Sequence, residues 1–164
     1  MRAQAKFVTA GLSVFAAAAI SLALDKSALA ASAEEVALLK TTNREKVLVD
    51  GAKKEGKVTF YTGLIVDQVV RPVKDAFEKE YPFLQVEFFR GNSERVAQRV
   101  LTEYQAKRYE VDVVSGSAAT TMVQRAGYMQ RFFSPHFAEY PSELKDAKGF
   151  WGSTNVYFMT LGYN

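Results

Sequence analysis

Three short apolar runs, KVTFYTG (57–63), LQVEFF (84–89) and VDVV (111–114), are separated by longer stretches in which apolar residues recur at helical spacing. Strands that do not alternate between polar and apolar residues, joined by amphipathic helices, predict a parallel sheet covered on both faces. A helix over Val70, Val73, Phe77 and Tyr81, with Pro72 in its first turn, follows the first run. A second helix runs from Ser93 to about Ala106 on a stripe of Val96, Val100, Leu101 and Tyr104, and a third from about Ala118 to Arg125 stops before Gly127. Upstream, Thr42 and Glu45 have capping-box spacing for a helix that Gly56 ends. Residues 129–152 lack periodicity and read as loops with one short helix.

In a parallel sheet ligands bind where the loops leave the carboxyl ends of the strands. That rule selects Thr62-Gly63-Leu64, Arg90-Gly91-Asn92-Ser93 and Ser115-Gly116-Ser117. Each loop carries a glycine and leads to a helix start, where free N–H groups and the positive end of the dipole suit an anion. Glycine in a turn and serine before a helix are also ordinary capping chemistry. Arg90 is equally a solvated charge at a strand end or a clamp for a carboxylate or phosphate.

The first 30 residues have the organisation of a secretory signal. Arg2 and Lys6 precede 18 uncharged residues, 7–24, and Ala28-Leu29-Ala30 forms a small-x-small cleavage pattern, with a second option after Ala33. A membrane anchor is the competing reading, since about 20 apolar residues span a bilayer. The small residues in the stretch and the charges Asp25 and Lys26 right after it favour removal, and with it a periplasmic location without a stable membrane anchor. The absence of cysteine removes both a lipid anchor and a disulfide scaffold. Domains are then a signal peptide over 1–30, a helical segment over 31–56 and an α/β unit over 57–164.

Charge announces no macromolecular partner. The formal net charge of +3 falls to +1 once Arg2, Lys6, Lys26 and Asp25 are set aside, and no basic block or interleaved aromatic run points to nucleic acid. No G-x-G-x-x-G follows the first strand, no G-x-x-x-x-G-K-[ST] is present, and one histidine, His136, lies among turn residues. A non-catalytic protein without cofactor or metal is the expectation. The final ten residues, NVYFMTLGYN, are uncharged and strand-like.

The segments NREKVLVDGAKKEGKVTFYTG, FEKEYPFLQVEFFRGNSERVAQRVLTEYQAKRYEVDVVSGS, GYMQRF, YPSELKDAKGFWG and LGYN resemble, in order and spacing, the N-terminal part of bacterial extracellular solute-binding proteins. The resemblance is to the iron(III)-type group of ABC importers and runs from about Asn43 to Asn164. It implies a type II periplasmic-binding-protein lobe, of which this chain is the first with the second absent, and a solute handed to a membrane permease. On that reading 157–164 match the strand leaving the first lobe, and its exposure favours self-association. Iron binders of the group place a histidine after the first strand and a glutamate after the third. Here Leu64 and Ile65, then Gly116 and Ser117, occupy those loops, which favours a small organic or phosphate-like anion. An inactive remnant or half of a split protein, a ferric iron binder, and an enzyme on the same fold are the alternatives.

Overall fold

The structure, a computed structural model, describes residues 32–156. The signal segment and the terminal strand over 157–164 lie outside the described residues. Helix α1 (Ala33–Ala37) opens on a capping box in which Ser32 Oγ accepts from Glu35 N at 3.2 Å and Glu35 Oε2 accepts from Ser32 N at 2.7 Å. Helix α2 (Arg44–Glu55) ends as expected at Gly56, whose φ of 73° is left-handed. Its start differs from the capping box expected at Thr42 and Glu45. Asn43 is the N-cap and makes no cap bond, because its Oδ1 accepts from Thr41 Oγ1 at 2.5 Å.

Strands β1 (Lys57–Thr62), β2 (Gln85–Arg90) and β3 (Val113–Ser115) form a parallel sheet in the order β2-β1-β3. Helix α3 (Arg71–Glu80) joins β1 to β2, α4 (Ser93–Gln105) joins β2 to β3, and α5 (Ser117–Arg125) follows β3. The chain moves outward from β1 to β2 and then back past β1 to β3. Right-handed crossovers therefore put α3 and α4 on opposite faces of the sheet. β3 is shorter and later than the run 111–114 predicts, because Asp112 serves the ladder's end. Its N–H donates to Thr59 O at 3.0 Å, and its Oδ2 accepts from Thr59 N at 2.7 Å.

The core lies between β1 and the α4–α5 pair. Tyr61, Val96, Ala97, Val100, Ala119 and Val123 form one buried cluster, with Phe89, Tyr104 and Val114 packed around it. Val96 and Val100 are where the helical stripe puts them. Coverage of the sheet on both faces holds only for the central strand. β1 buries Thr59, Tyr61 and Thr62, whereas no residue of β2 or β3 is fully buried.

Helix α3 departs from its predicted face in one position. A π-helical turn, Val66–Val70, leads into it. Val70 is buried and Phe77 and Tyr81 are partly buried as expected, but Val73 is 60% exposed. Lys74 and Glu78 take its place against the sheet. Lys74 Nζ donates to Val86 O at 3.0 Å, Glu78 Oε1 accepts from Val86 N at 2.7 Å, and the two side chains pair with each other. Among the described residues β2 is an edge strand, and this pair occupies a donor and an acceptor that a further strand would need.

Glu78's carboxyl is held below its ordinary range, first by Lys74 and then by the Val86 N–H. A depressed folded-state pKa contributes stability that is present above the unfolded value and lost as pH falls through the folded one. Glu78→Gln is therefore expected to flatten the acid limb of the stability profile, as read by thermal melting across pH. An acid limb identical to the parent's would assign the clamp no part in it.

Candidate functional site

All three loops singled out by the sheet rule start at one level, because Thr62 is in register with Arg90 on one side and Ser115 on the other. Thr62 is fully buried, and its Oγ1 accepts from Leu64 N at 3.1 Å, turning the chain at the end of β1. Its carbonyl accepts from Gly91 N at 3.0 Å, so the ladder continues one residue past β2. Gly63 is close to that loop, and a Cβ there would lie 3.4 Å from Gly91 O.

The second and third loops meet through their helix starts. Asn92 is the N-cap of α4, its Oδ1 accepting from Arg95 N at 2.9 Å. Ser93 Oγ reaches across to accept from Ala119 N at 3.0 Å, bonding the first turn of α4 to that of α5. Gly116 makes this approach feasible. Its φ of 138° is outside the range of ordinary side chains, and a Cβ there would sit 2.6 Å from Ser93 Oγ. Both helices thus present their N-termini side by side at the carboxyl edge of the sheet.

Side chains expected as ligand groups divide by what already occupies them. The oxygens of Thr62, Asn92 and Ser93 accept the backbone N–H groups just described. Among the described residues Arg90 is exposed and in no ion pair, and the Ser117 side chain is exposed and makes no hydrogen bond. With Arg95 N and Ala119 N capped, the N–H groups of Ser93, Glu94, Ser117 and Ala118 have no acceptor among the described residues. Four N–H donors, an arginine and a free hydroxyl make an acceptor-poor surface suited to a carboxylate or phosphate.

Behind this surface lies a polar network absent from the sequence expectations. Tyr61 OH donates to the carboxylate of Glu103, with Oε1 at 3.0 Å and Oε2 at 3.1 Å, and Arg99 Nε donates to Oε1 at 2.8 Å. The Arg99 guanidinium lies 4.5 Å from the Tyr61 ring centre and 4.3 Å from that of Phe89. Burial, then the adjacent carboxylate, pushes the Tyr61 phenol above its usual range. A glutamate on the α4 stripe was the one available signal, since it sits four residues after Arg99.

Among the described residues no group of three or more histidine, aspartate or glutamate side chains is gathered as a metal site would require, and no helix is long and apolar enough to cross a membrane. No family model matches the chain, and no curated protein matches it. Among solved structures it is similar to Trichodesmium IdiA (FutA) in complex with iron and citrate ligands, with a TM-score of 0.51 and 21% identity. The similarity covers 59% of this chain and 30% of that one, so the chain spans under a third of that protein's length. The fold is an α/β lobe with a parallel sheet, as the strand and helix pattern predicts, and it is similar to a lobe of a periplasmic binding protein, as the resemblance implies.

Proposed function

We propose that the chain is an exported, non-catalytic solute-binding component of an ABC importer, the signal over 1–30 being removed, and that it captures a small anionic solute at the three strand ends. The observation that carries this reading is the pair of helix N-termini joined by Ser93 Oγ and Ala119 N, with Arg90 beside them. Cleavage after Ala30 keeps the Ser32–Glu35 capping box, and cleavage after Ala33 would delete it. The partners are the solute and a membrane permease.

The solved neighbour's iron and citrate favour one specific form of the reading. Bare ferric iron asks for hard anionic ligands, and Leu64, Ile65, Gly116 and Ser117 supply none. A metal already chelated by a polycarboxylate presents carboxylate oxygens to the protein, and those suit backbone N–H groups and a guanidinium. The test is calorimetry with citrate, ferric citrate and phosphate on chain recovered from the periplasm, with its N-terminus read by mass spectrometry. Saturable binding of an anion by a chain starting at Ala31, weakened by Arg90→Ala by about 1–3 kcal/mol, is the expected result. Equal affinity in Arg90→Ala would make that residue a solvated charge, and an N-terminus at Met1 would make the segment an anchor.

A further inference from the structure

Residues 129–153 hold little regular structure, yet they are pinned at several points. Phe132 N donates to Gly149 O at 2.9 Å, Phe133 N to Ala37 O at 2.9 Å and Asp146 N to Trp151 O at 3.0 Å, and Lys145 bridges to Gly152. The Phe137 ring lies so close over Gly152 that a Cβ there would come within 2.4 Å of it. These restraints shape a cleft of about 500 Å³, inside the range of about 300–1,000 Å³ common for small-molecule sites. None of its lining residues belongs to the strand-end loops.

The lining has two chemistries. Leu38 and the Phe132–Phe137 pair, with ring centres 5.2 Å apart, give an apolar floor, and Phe132 remains 39% exposed. Around it stand Lys40, Lys145 and Lys148, none of them in an ion pair among the described residues. Lys145 Nζ donates to Phe137 O at 2.5 Å, which holds its ammonium at the cleft, and Lys40 Nζ lies 5.1 Å from the Phe133 ring centre. The cleft's one carboxylate, Asp146, accepts from Phe150 N through Oδ2 at 3.0 Å and so serves a turn.

We propose that this cleft is a second binding site, separate from the strand ends, for a small amphipathic monoanion: a carboxylate carrying an alkyl or aryl body. The apolar body covers the exposed Phe132 face, and the carboxylate meets ammonium groups that have no carboxylate partner among the described residues. An inorganic anion supplies no apolar body and a neutral amphiphile no charge, so each binds more weakly than a ligand with both.

Trp151, the sole tryptophan, accepts from the Asp146 turn and provides a fluorescence readout. The full chain would be titrated with decanoate and phenylacetate, with decanol and phenylacetamide as neutral counterparts and with inorganic phosphate. Expected is saturable binding of at least one carboxylate, tenfold or more tighter than its neutral counterpart and than phosphate. The carboxylate that wins separates an alkyl from an aryl source. Lys40→Gln with Lys148→Gln, both exposed positions, should weaken the carboxylate tenfold or more and leave the neutral compound unchanged, while Arg90→Ala changes neither. Equal binding of the charged and neutral members, no saturation at millimolar concentration, or loss of binding in Arg90→Ala would each overturn the proposal. The Arg90→Ala control also separates its failure from failure of the strand-end site.

Discussion

Gly116→Ala is expected to lower stability by about 3 kcal/mol and the melting temperature by about 10 °C. Two separate costs add there. The backbone at φ 138° and ψ 131° belongs to a region that side chains avoid, worth about 1–3 kcal/mol. The new methyl also meets Ser93 Oγ at 2.6 Å, and that oxygen is held in place by Ala119 N. Ser93→Ala in the same background separates the terms. It removes the oxygen and leaves Ser93 Cβ and Ala119 Cβ, each at an ordinary contact distance of 3.6 Å, so the double variant should be more stable than the sum of the single losses predicts. Additive losses would mean that backbone strain alone acts. An unchanged melt in Gly116→Ala would mean that the two helix starts are not locked together, and the anion reading would lose its preorganised donors.

Particular elements show why some of this was legible in the sequence. The run at β1 could be read because a central parallel strand buries side chains on both faces, and that at β2 because Val86, Phe88 and Phe89 are partly buried along it. Gly56, Gly116 and Gly127 could be read because their positive φ values of 73°, 138° and 76° require glycine. The strand-end rule needs only strand order, so it found the loops without knowing what their side chains do. What was illegible is long-range pairing of polar side chains. Lys74 and Glu78 have the spacing of an ordinary surface pair, and nothing local says that Val86 lies beneath them. Val73 looked inward because the π-helical turn before α3 has no sequence mark. The same holds for Asn92 and Ser93, which position alone put among the expected ligand groups although their oxygens are occupied by caps. Residues 129–153 escaped because their order comes from contacts with Ala37, Gly149 and Gly152 and not from a period.

Glu103→Ala is expected to cost about 3 kcal/mol, more than its place on a helix surface four residues from an arginine suggests. An exposed pair of that spacing is worth about 0.3–0.5 kcal/mol. Glu103 is 5% exposed, and its carboxylate accepts from both Tyr61 and Arg99, so removing it strands a buried phenol and leaves the guanidinium with only the two rings. Tyr61→Phe removes one donor and keeps the ring, and should cost about 1–2 kcal/mol. Glu103→Gln retains an acceptor for Arg99 and should fall between the parent and Glu103→Ala. A double-mutant cycle between Tyr61→Phe and Glu103→Ala isolates the pair, with an expected coupling of about 1–2 kcal/mol in chemical denaturation. Because Phe89 leads into Arg90 and Tyr61 into Thr62, loosening this network should also free the two strand ends at which the anion site is proposed. Glu103→Ala should therefore weaken anion binding at the strand ends without touching any proposed ligand contact. Full affinity in a measurably destabilised Glu103→Ala protein would show that the network supports the core alone.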